Sequence, residues 1–398
     1  MIELHKGAVQ RVMLAAQGLL TPFQKTPHKR DILNVIQRMG YLQIDSIQAV
    51  HRTQYLVLWS RLGNYNPAWL DDLHVAGELF EYTAHALCYL PIEDYPIFRG
   101  LMLNDDSVGN HWRDWASNHS QVVDHVIEVI RNQGPVCSGD FDAPAISTGW
   151  GNVKQEKLAL IRMWSAGELM VPYRRNFRRY FDLRERVLPD WDDRDALGKE
   201  SAIQLLVEKA VKALGIANED WVAEYYYLKK TGLTEILSNM ANNEVVVPVK
   251  VRGWDQQFYY HKNNQHLIDQ VVEENLSPSG TTFLSPFDPL ISDRNRVEVL
   301  FDFKYRFEAY TPVKDRQFGY YCLPILHQGQ LVGRLDPKAH RKEDLMEVKH
   351  IFLEPGVIIG EGLVSGLIAA LSNFTEWHGL SEWTVTASTP TELMEAIS

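Results

Sequence analysis

The sequence predicts an α+β protein, with tandem winged helix-turn-helix units followed by a small antiparallel, barrel-like β-domain with C-terminal helices. Two observations predict it: a helix-plus-ribbon block occurs twice, and beyond Thr281 the texture changes to short alternating strands. In the first copy, residues 152–168 carry Val153, Leu158, Leu160, Ile161 and Trp164 at helical spacing and stop at Gly167. Residues 169–172, a tip at 173–179 and residues 180–183 then read as a two-stranded ribbon. About 76 residues later the order recurs. A helix with Leu233, Ile236, Leu237 and Met240 ends at Asn242-Asn243, and 245–248, a polar tip at 252–257 and 258–261 follow. Both ribbons carry Val-Pro at the matching position, which argues against coincidence. Further helices precede each copy, at 122–133 in one case and at 201–214 and 221–230 in the other.

The remaining elements follow from periodicity. Helices are expected at 4–19, where Pro22 stops the pattern, at 27–39, where Gly40 is the C-terminal signal, and at 51–62. Between the last two, residues 42–47 alternate apolar and polar as a half-buried strand does. Strands are expected at 297–301, 305–310, 319–327, 330–336 and 344–353, and helices at 356–373 and 392–397. Four segments result: 1–105, 106–190, 191–275 and 276–398.

Composition narrows the class. A chain of 398 residues is too long for one ordinary core, and its apolar and charged fractions are those of globular proteins. The opening Met-Ile-Glu-Leu-His-Lys lacks an apolar run, so no signal peptide is expected. The least polar stretch, 356–371, contains Glu361 and falls short of the roughly 20 residues of a bilayer span, so it reads as a buried helix. Three cysteines without metal-type spacing suit a reducing compartment. A cytoplasmic protein with no membrane partner, no metal and no cofactor is the expectation.

The net charge of −11 argues against a generic nucleic-acid binder, but phosphates respond to local fields. Locally, residues 171–186 hold Arg174, Arg175, Arg178, Arg179, Arg184 and Arg186 against only Asp182 and Glu185. Arginine's planar, permanently charged fork suits phosphate, so the first four are candidate DNA contacts. A solvated, salt-bridged hairpin is the plainer reading. Trp254, at the tip of the second ribbon, could stack on a base or pack onto its own domain.

Gln43 and Asp45 form the sharper pair. Alternation puts both on one strand face, about 6–7 Å apart. A carboxylate can accept a proton from water and stabilise an oxocarbenium-like sugar while an amide orients that water, which is what hydrolysis of a glycosidic bond needs. Polar residues on an exposed face, or Asp45 capping the next turn, would give the same pattern. His85 could line the same cleft or be a satisfied core histidine. Asp288 and Asp293 could belong to a functional loop or cap turns and pair with Arg294 or Arg296.

Several stretches in series resemble one known family. They are Gly40-Tyr-Leu-Gln43-Ile44-Asp45-Ser-Ile47, Leu56-Val-Leu-Trp-Ser-Arg61-Leu-Gly63, Glu81-Tyr82-Thr-Ala-His85 with Leu90-Pro91, the region from Gly167 to Pro189, and Ser285-Pro-Phe-Asp288-Pro289 through Asp293-Arg294. The chain resembles the winged-helix DNA glycosylases typified by AlkZ and YcaQ. The resemblance implies three winged-helix units scaffolding a DNA channel, with a β-rich C-terminal part. The family signature, glutamine–aliphatic–glutamine or aspartate, is Gln43-Ile44-Asp45 here, the aspartate form of the YcaQ branch. It implies repair of double-stranded DNA by removing N7-alkylated guanine and unhooking N7-guanine interstrand crosslinks. A sequence without an obvious coiled coil gives the expectation of a monomer. An N7-alkylguanine is already cationic and leaves as a neutral base, so one carboxylate and one amide suffice. No lysine nucleophile stands near the motif, which points to a monofunctional enzyme. The competing expectation is a non-enzymatic winged-helix transcription regulator, which would bind duplex and release no product.

Overall fold

The structure, a computed structural model, describes residues 2–23, 26–104, 106–141 and 154–397. It divides into two compact units: Ala68–Leu206, and a discontinuous one made of Met1–Pro67 with Val207–Ser398. These cuts differ from the four consecutive segments expected from the sequence.

In the unit 68–206, the helices Ser120–Gln133 and Gln155–Ser165 bury Val126, Ile130, Leu160 and Met163 against Val171 and Phe181 of a ribbon, Leu169–Arg175 with Arg178–Leu183. Val136 adds a bridge to Phe181, giving the ribbon a third partner. Residues 152–153 of the expected helix lie outside the described residues. The ribbon turns through Asn176 and Phe177, both at positive φ (48° and 66°), which matches the right-handed twist of the strands it joins. A second hairpin, Leu79–Thr83 with Leu87–Pro91, precedes these elements.

The other unit opens with Glu3–Leu4 and the helix Lys6–Ala16. The helix Lys29–Met39 ends where Gly40 turns left-handed (φ 80°) and donates its N–H to Ile36. The second helix-plus-ribbon block is present. After the helix Lys199–Leu214 come the strand Ile216–Asn218, the helices Glu219–Tyr225 and Leu233–Asn242, and the ribbon Val246–Val251 with Phe258–His261. Ile216–Asn218 pairs with the second ribbon strand, and Glu3–Leu4 adds in parallel to the first.

The C-terminal sheet runs Thr281–Phe283, Leu323–His327, Gln330–His340, Leu345–Leu353, Glu382–Val385. Its first three pairings are antiparallel, but Glu382–Val385 and Ser388–Thr389 join Leu345–Leu353 in parallel, so it is not the purely antiparallel domain expected. Two expected strands are also corrected. Residues 297–301 belong to the helix Arg294–Phe301, capped by Asp293, whose side chain accepts from Arg296 N–H. Residues 305–310 lie in an irregular loop whose alternation arises because one side rests on the core, with Phe303, Tyr305 and Glu308 buried. The Glu308 carboxylate closes that loop by accepting N–H groups from Gln317, Phe318 and Gly319. The helices Glu361–Trp377 and Glu392–Ile397 occupy the expected C-terminal places.

Candidate active site and DNA-contact residues

The helix Thr53–Leu62 is the foundation of the site. Trp59 is fully buried, its ring 4.6 Å from Phe374 and 5.8 Å from Phe283, and its indole N–H donates to Asn373. Arg61, two residues on, makes a bidentate pair with Asp288 at 2.6 and 3.1 Å, and also donates to the carbonyls of Gln17 and Val57. Asp288 is wholly buried and caps the turn Pro289–Ser292 through Leu290 N–H. At the other end of the helix the Thr53 hydroxyl bonds the Ser285 hydroxyl. The segment 285–288 is therefore tied to both ends of one buried helix, although the partners lie 227 and 232 residues apart in sequence. Asp288 is thus a structural anchor rather than a cleft residue, and its partner is Arg61 rather than Arg294 or Arg296.

The expected catalytic pair sits beside this platform. The strand is only Leu42–Gln43, not 42–47, and Gln43 is buried at 8% exposure rather than facing solvent. Asp45 is half-buried. Its N–H donates to the Gln54 side chain at 3.4 Å, and its Oδ1 accepts Ile47 N–H at 2.7 Å. That local bond is why the strand stops: a carboxylate that captures the N–H two residues on offers the backbone an alternative to a ladder. Asp45 Oδ2 has no hydrogen-bond partner among the described residues.

Sequence reasoning missed the hydroxyls next to it. Thr53, Ser285 and Tyr321 are all fully buried. Ser285 Oγ also accepts Phe287 N–H at 3.2 Å. Burial pushes the Tyr321 phenol far up, Ser285 and Thr53 oppose that, and the charge of Asp45 adds to it. The Tyr321 oxygen makes no hydrogen bond of normal geometry among the described residues. Ser285 stands in the motif Ser285-Pro-Phe-Asp288-Pro289, but nothing local in the sequence marks Thr53 or Tyr321.

Beyond Asp45, the loop carries His51, packed on Trp377 at 5.0 Å and 5.8 Å from His378. Burial, then His378, Arg341 and Arg52, push its pKa down to about 3. Burial pushes His378 down to about 4, and its Nδ1–H donates to the Phe374 carbonyl. Both rings are neutral at physiological pH.

The arginine hairpin divides in two. Arg174 forks onto Glu81 at 2.5 and 2.6 Å, and Glu81 is 3% exposed. Arg179 is half-buried over the Trp164 and Phe181 rings, and burial lowers its pKa. Arg174 is engaged inside the protein, contrary to the expectation of four phosphate contacts; Arg175 and Arg178, at the tip, are exposed. Trp254 stacks edge-on with Trp221 and Phe258 at 5.6 and 5.3 Å, beside a groove where Asp220, Glu224, Asp255 and Asp293 outnumber the cations Lys230 and Arg294. That surrounding is a poor one for phosphate. His85 lies in the turn between Leu79–Thr83 and Leu87–Pro91 and is 8% exposed.

Among the described residues no group of three His, Cys, Asp or Glu could hold a metal ion, and no helix is long and apolar enough to cross a membrane. The model of the family described as DNA glycosylase AlkZ-like matches residues 36–377. The chain belongs to the AlkZ-like family. It is therefore a DNA glycosylase, an enzyme of DNA repair whose substrate is DNA. The solved structure of Streptomyces sahachiroi DNA glycosylase AlkZ has the same fold, with a TM-score of 0.63 over 96% of this chain and 99% of that one, at 14% identity. The AlkZ-like match spans both the Asp45 region and the Ser285–Asp288 segment that props up its platform.

Proposed function

We propose that this glycosylase hydrolyses the N-glycosidic bond of N7-alkylguanine in duplex DNA and unhooks interstrand crosslinks made through guanine N7. The observation that carries the reading is Asp45: a half-buried carboxylate beside the buried helix Thr53–Leu62, with one oxygen bonded to Ile47 N–H and the other without a hydrogen bond among the described residues. That second oxygen accepts a proton from water and stabilises positive charge growing on the deoxyribose. Gln43, two residues earlier, orients that water with its amide. The base leaves neutral because alkylation has already charged it, so no strong general acid is required. The reading includes a monomer that acts in the cytoplasm, with three winged-helix units (1–105, 106–190 and 191–275) followed by a β-rich C-terminal domain (276–398).

The Arg175 and Arg178 guanidiniums supply phosphate contacts. A second DNA contact comes from the loop that Glu308 closes, where Tyr310 and Val313 are 80% and 77% exposed next to Arg306 and Lys314. Phe307 of that loop packs on Phe287 and Tyr321 at 5.0 and 5.6 Å, which ties the loop to the platform. Exposed apolar side chains among cations suit entry into a groove, where they wedge a base step.

The test is incubation with a duplex holding one N7-methylguanine, scored for abasic sites, beside an unmodified duplex. Abasic sites only in the alkylated duplex support the proposal. A second duplex with an N7–N7 guanine crosslink is scored for strand separation under denaturing conditions. Tight duplex binding with no released base would instead favour a regulator.

A further inference from the structure

Three elements of the unit 68–206 converge on a small cavity beside the arginine hairpin. Val136 and Phe181 exchange backbone hydrogen bonds at 3.0 and 2.7 Å, which lays the turn 137–140 along the strand Arg178–Leu183. Alternation puts Arg179 on the face of Phe181, and its guanidinium lies over the Trp164 ring at 4.8 Å, against the helix Gln155–Ser165. Arg178 reaches over the turn instead, its Nη1 lying 3.8 Å from where a side chain on Gly139 would start. Lys157 comes from the first turn of the helix. These three cations and Ser138 surround a cavity of about 120 Å³ floored by Leu160 and Phe181, and no carboxylate lines it. Two neighbouring acids are engaged elsewhere. Asp140 folds back on its own turn, accepting the Cys137 N–H at 2.7 Å and the Cys137 thiol at 3.4 Å, and Glu81 takes the Arg174 fork. Among the described residues, Lys157, Arg178 and Arg179 are in no ion pair.

Like charges gathered round one space repel, and ring faces offset only part of the cost of a half-buried guanidinium without a carboxylate. What such a space lacks is an anion. Lys157 and Arg178 are exposed at its rim, so that anion arrives from outside. We propose that the cavity is a socket for one backbone phosphate of the duplex: Arg178 and Arg179 supply donor forks, Lys157 a point charge and Ser138 a hydroxyl donor. A contact made by the hairpin tip alone adds attraction. A socket assembled from a turn, a strand and a helix also fixes where the duplex sits along the protein. The inference rests on the reading of the hairpin as a phosphate contact and deepens it, adding Ser138, Lys157 and Arg179 to one site.

The probe is a duplex with one tetrahydrofuran abasic analogue, which sets the register and leaves no base to release. In a series of such duplexes one neutral methylphosphonate replaces one phosphate at successive positions, and affinity is read by fluorescence anisotropy, with thermal melting alongside. The parent should lose roughly tenfold in affinity at one position of one strand. Lys157→Gln, at an exposed position, should melt like the parent, bind the all-phosphate duplex roughly fivefold more weakly and lose most of the penalty at that one position. Arg179→Gln should lose it too, with a lower melting temperature because its ring contacts go. A Lys157→Gln variant with the parent's pattern at every position overturns the inference. So does a melting shift with inorganic phosphate that Lys157→Gln abolishes without any change on the duplex, which would assign the cavity to free phosphate. Arg175→Ala separates the two claims. If it weakens binding while Lys157→Gln behaves as the parent, only the socket fails; if neither variant weakens binding, the reading of the hairpin fails with it.

Discussion

The platform under Asp45 and the hairpin around Arg174 are built on one plan and left with different remainders. Each is pinned by a buried arginine–carboxylate fork: Arg61 with Asp288, and Arg174 with Glu81. In the platform, what is left after pinning is the half-buried Asp45 carboxylate; in the hairpin it is two exposed guanidiniums. The difference teaches that charge in a sequence window does not distinguish anchors from working groups. Burial does. A charge taken fully out of water must be paired, so a buried arginine has already been committed.

The comparison can be broken from either side. The largest effect is expected at the platform: Asp288→Ala leaves Arg61 buried without its partner and should destabilise the protein by about 3–5 kcal/mol, read by chemical denaturation. Glu81→Ala should cost somewhat less, about 2–4 kcal/mol, because Arg174 keeps some solvent contact and its bond to the Phe177 carbonyl. Replacing Arg175 and Arg178 together with Ala should do the opposite. Stability stays within about 0.5 kcal/mol of the parent, while the slope of log binding constant against log salt falls by about 2. An unchanged slope would remove the hairpin tip from the phosphate interface.

The smallest effect concerns pH. His51 and His378 are held down to about 3 and about 4, below their unfolded value of 6.5. Above pH 6.5 neither state is protonated there and their neutrality has no consequence. As pH falls from about 6.5 toward 4, the unfolded chain takes up protons that the folded one refuses, so stability is lost in that window. His51→Asn with His378→Asn should flatten the melting temperature between pH 7 and 5, whatever it does at pH 7. A slope equal to the parent's would assign the acid sensitivity elsewhere.

Local periodicity made much of the molecule legible. The helices Lys29–Met39 and Glu392–Ile397 and both ribbons follow from spacing and stop signals alone. Errors came where two structures share one pattern. Residues 305–310 alternate like a strand, yet they are a loop lying on the core. Residues 42–47 also alternate, but Asp45 bends the chain onto itself through Ile47 N–H. The four-arginine cluster was visible, while the fork between Arg174 and Glu81 was not, because 93 residues separate them. Likewise Asp45 stood out by its motif, whereas Thr53, Ser285 and Tyr321 come together only when segments more than 200 residues apart meet. Tertiary contacts of that span leave no local signature.

The most direct test compares Asp45→Asn with the Arg175/Arg178 double alanine variant in single-turnover excision of N7-methylguanine, at limiting and at saturating enzyme. Asp45→Asn should bind duplex like the parent and release base slower by orders of magnitude at every enzyme concentration. The arginine variant should be slow at limiting enzyme and recover the parent rate at saturation. Base release by Asp45→Asn at the parent rate would contradict the account.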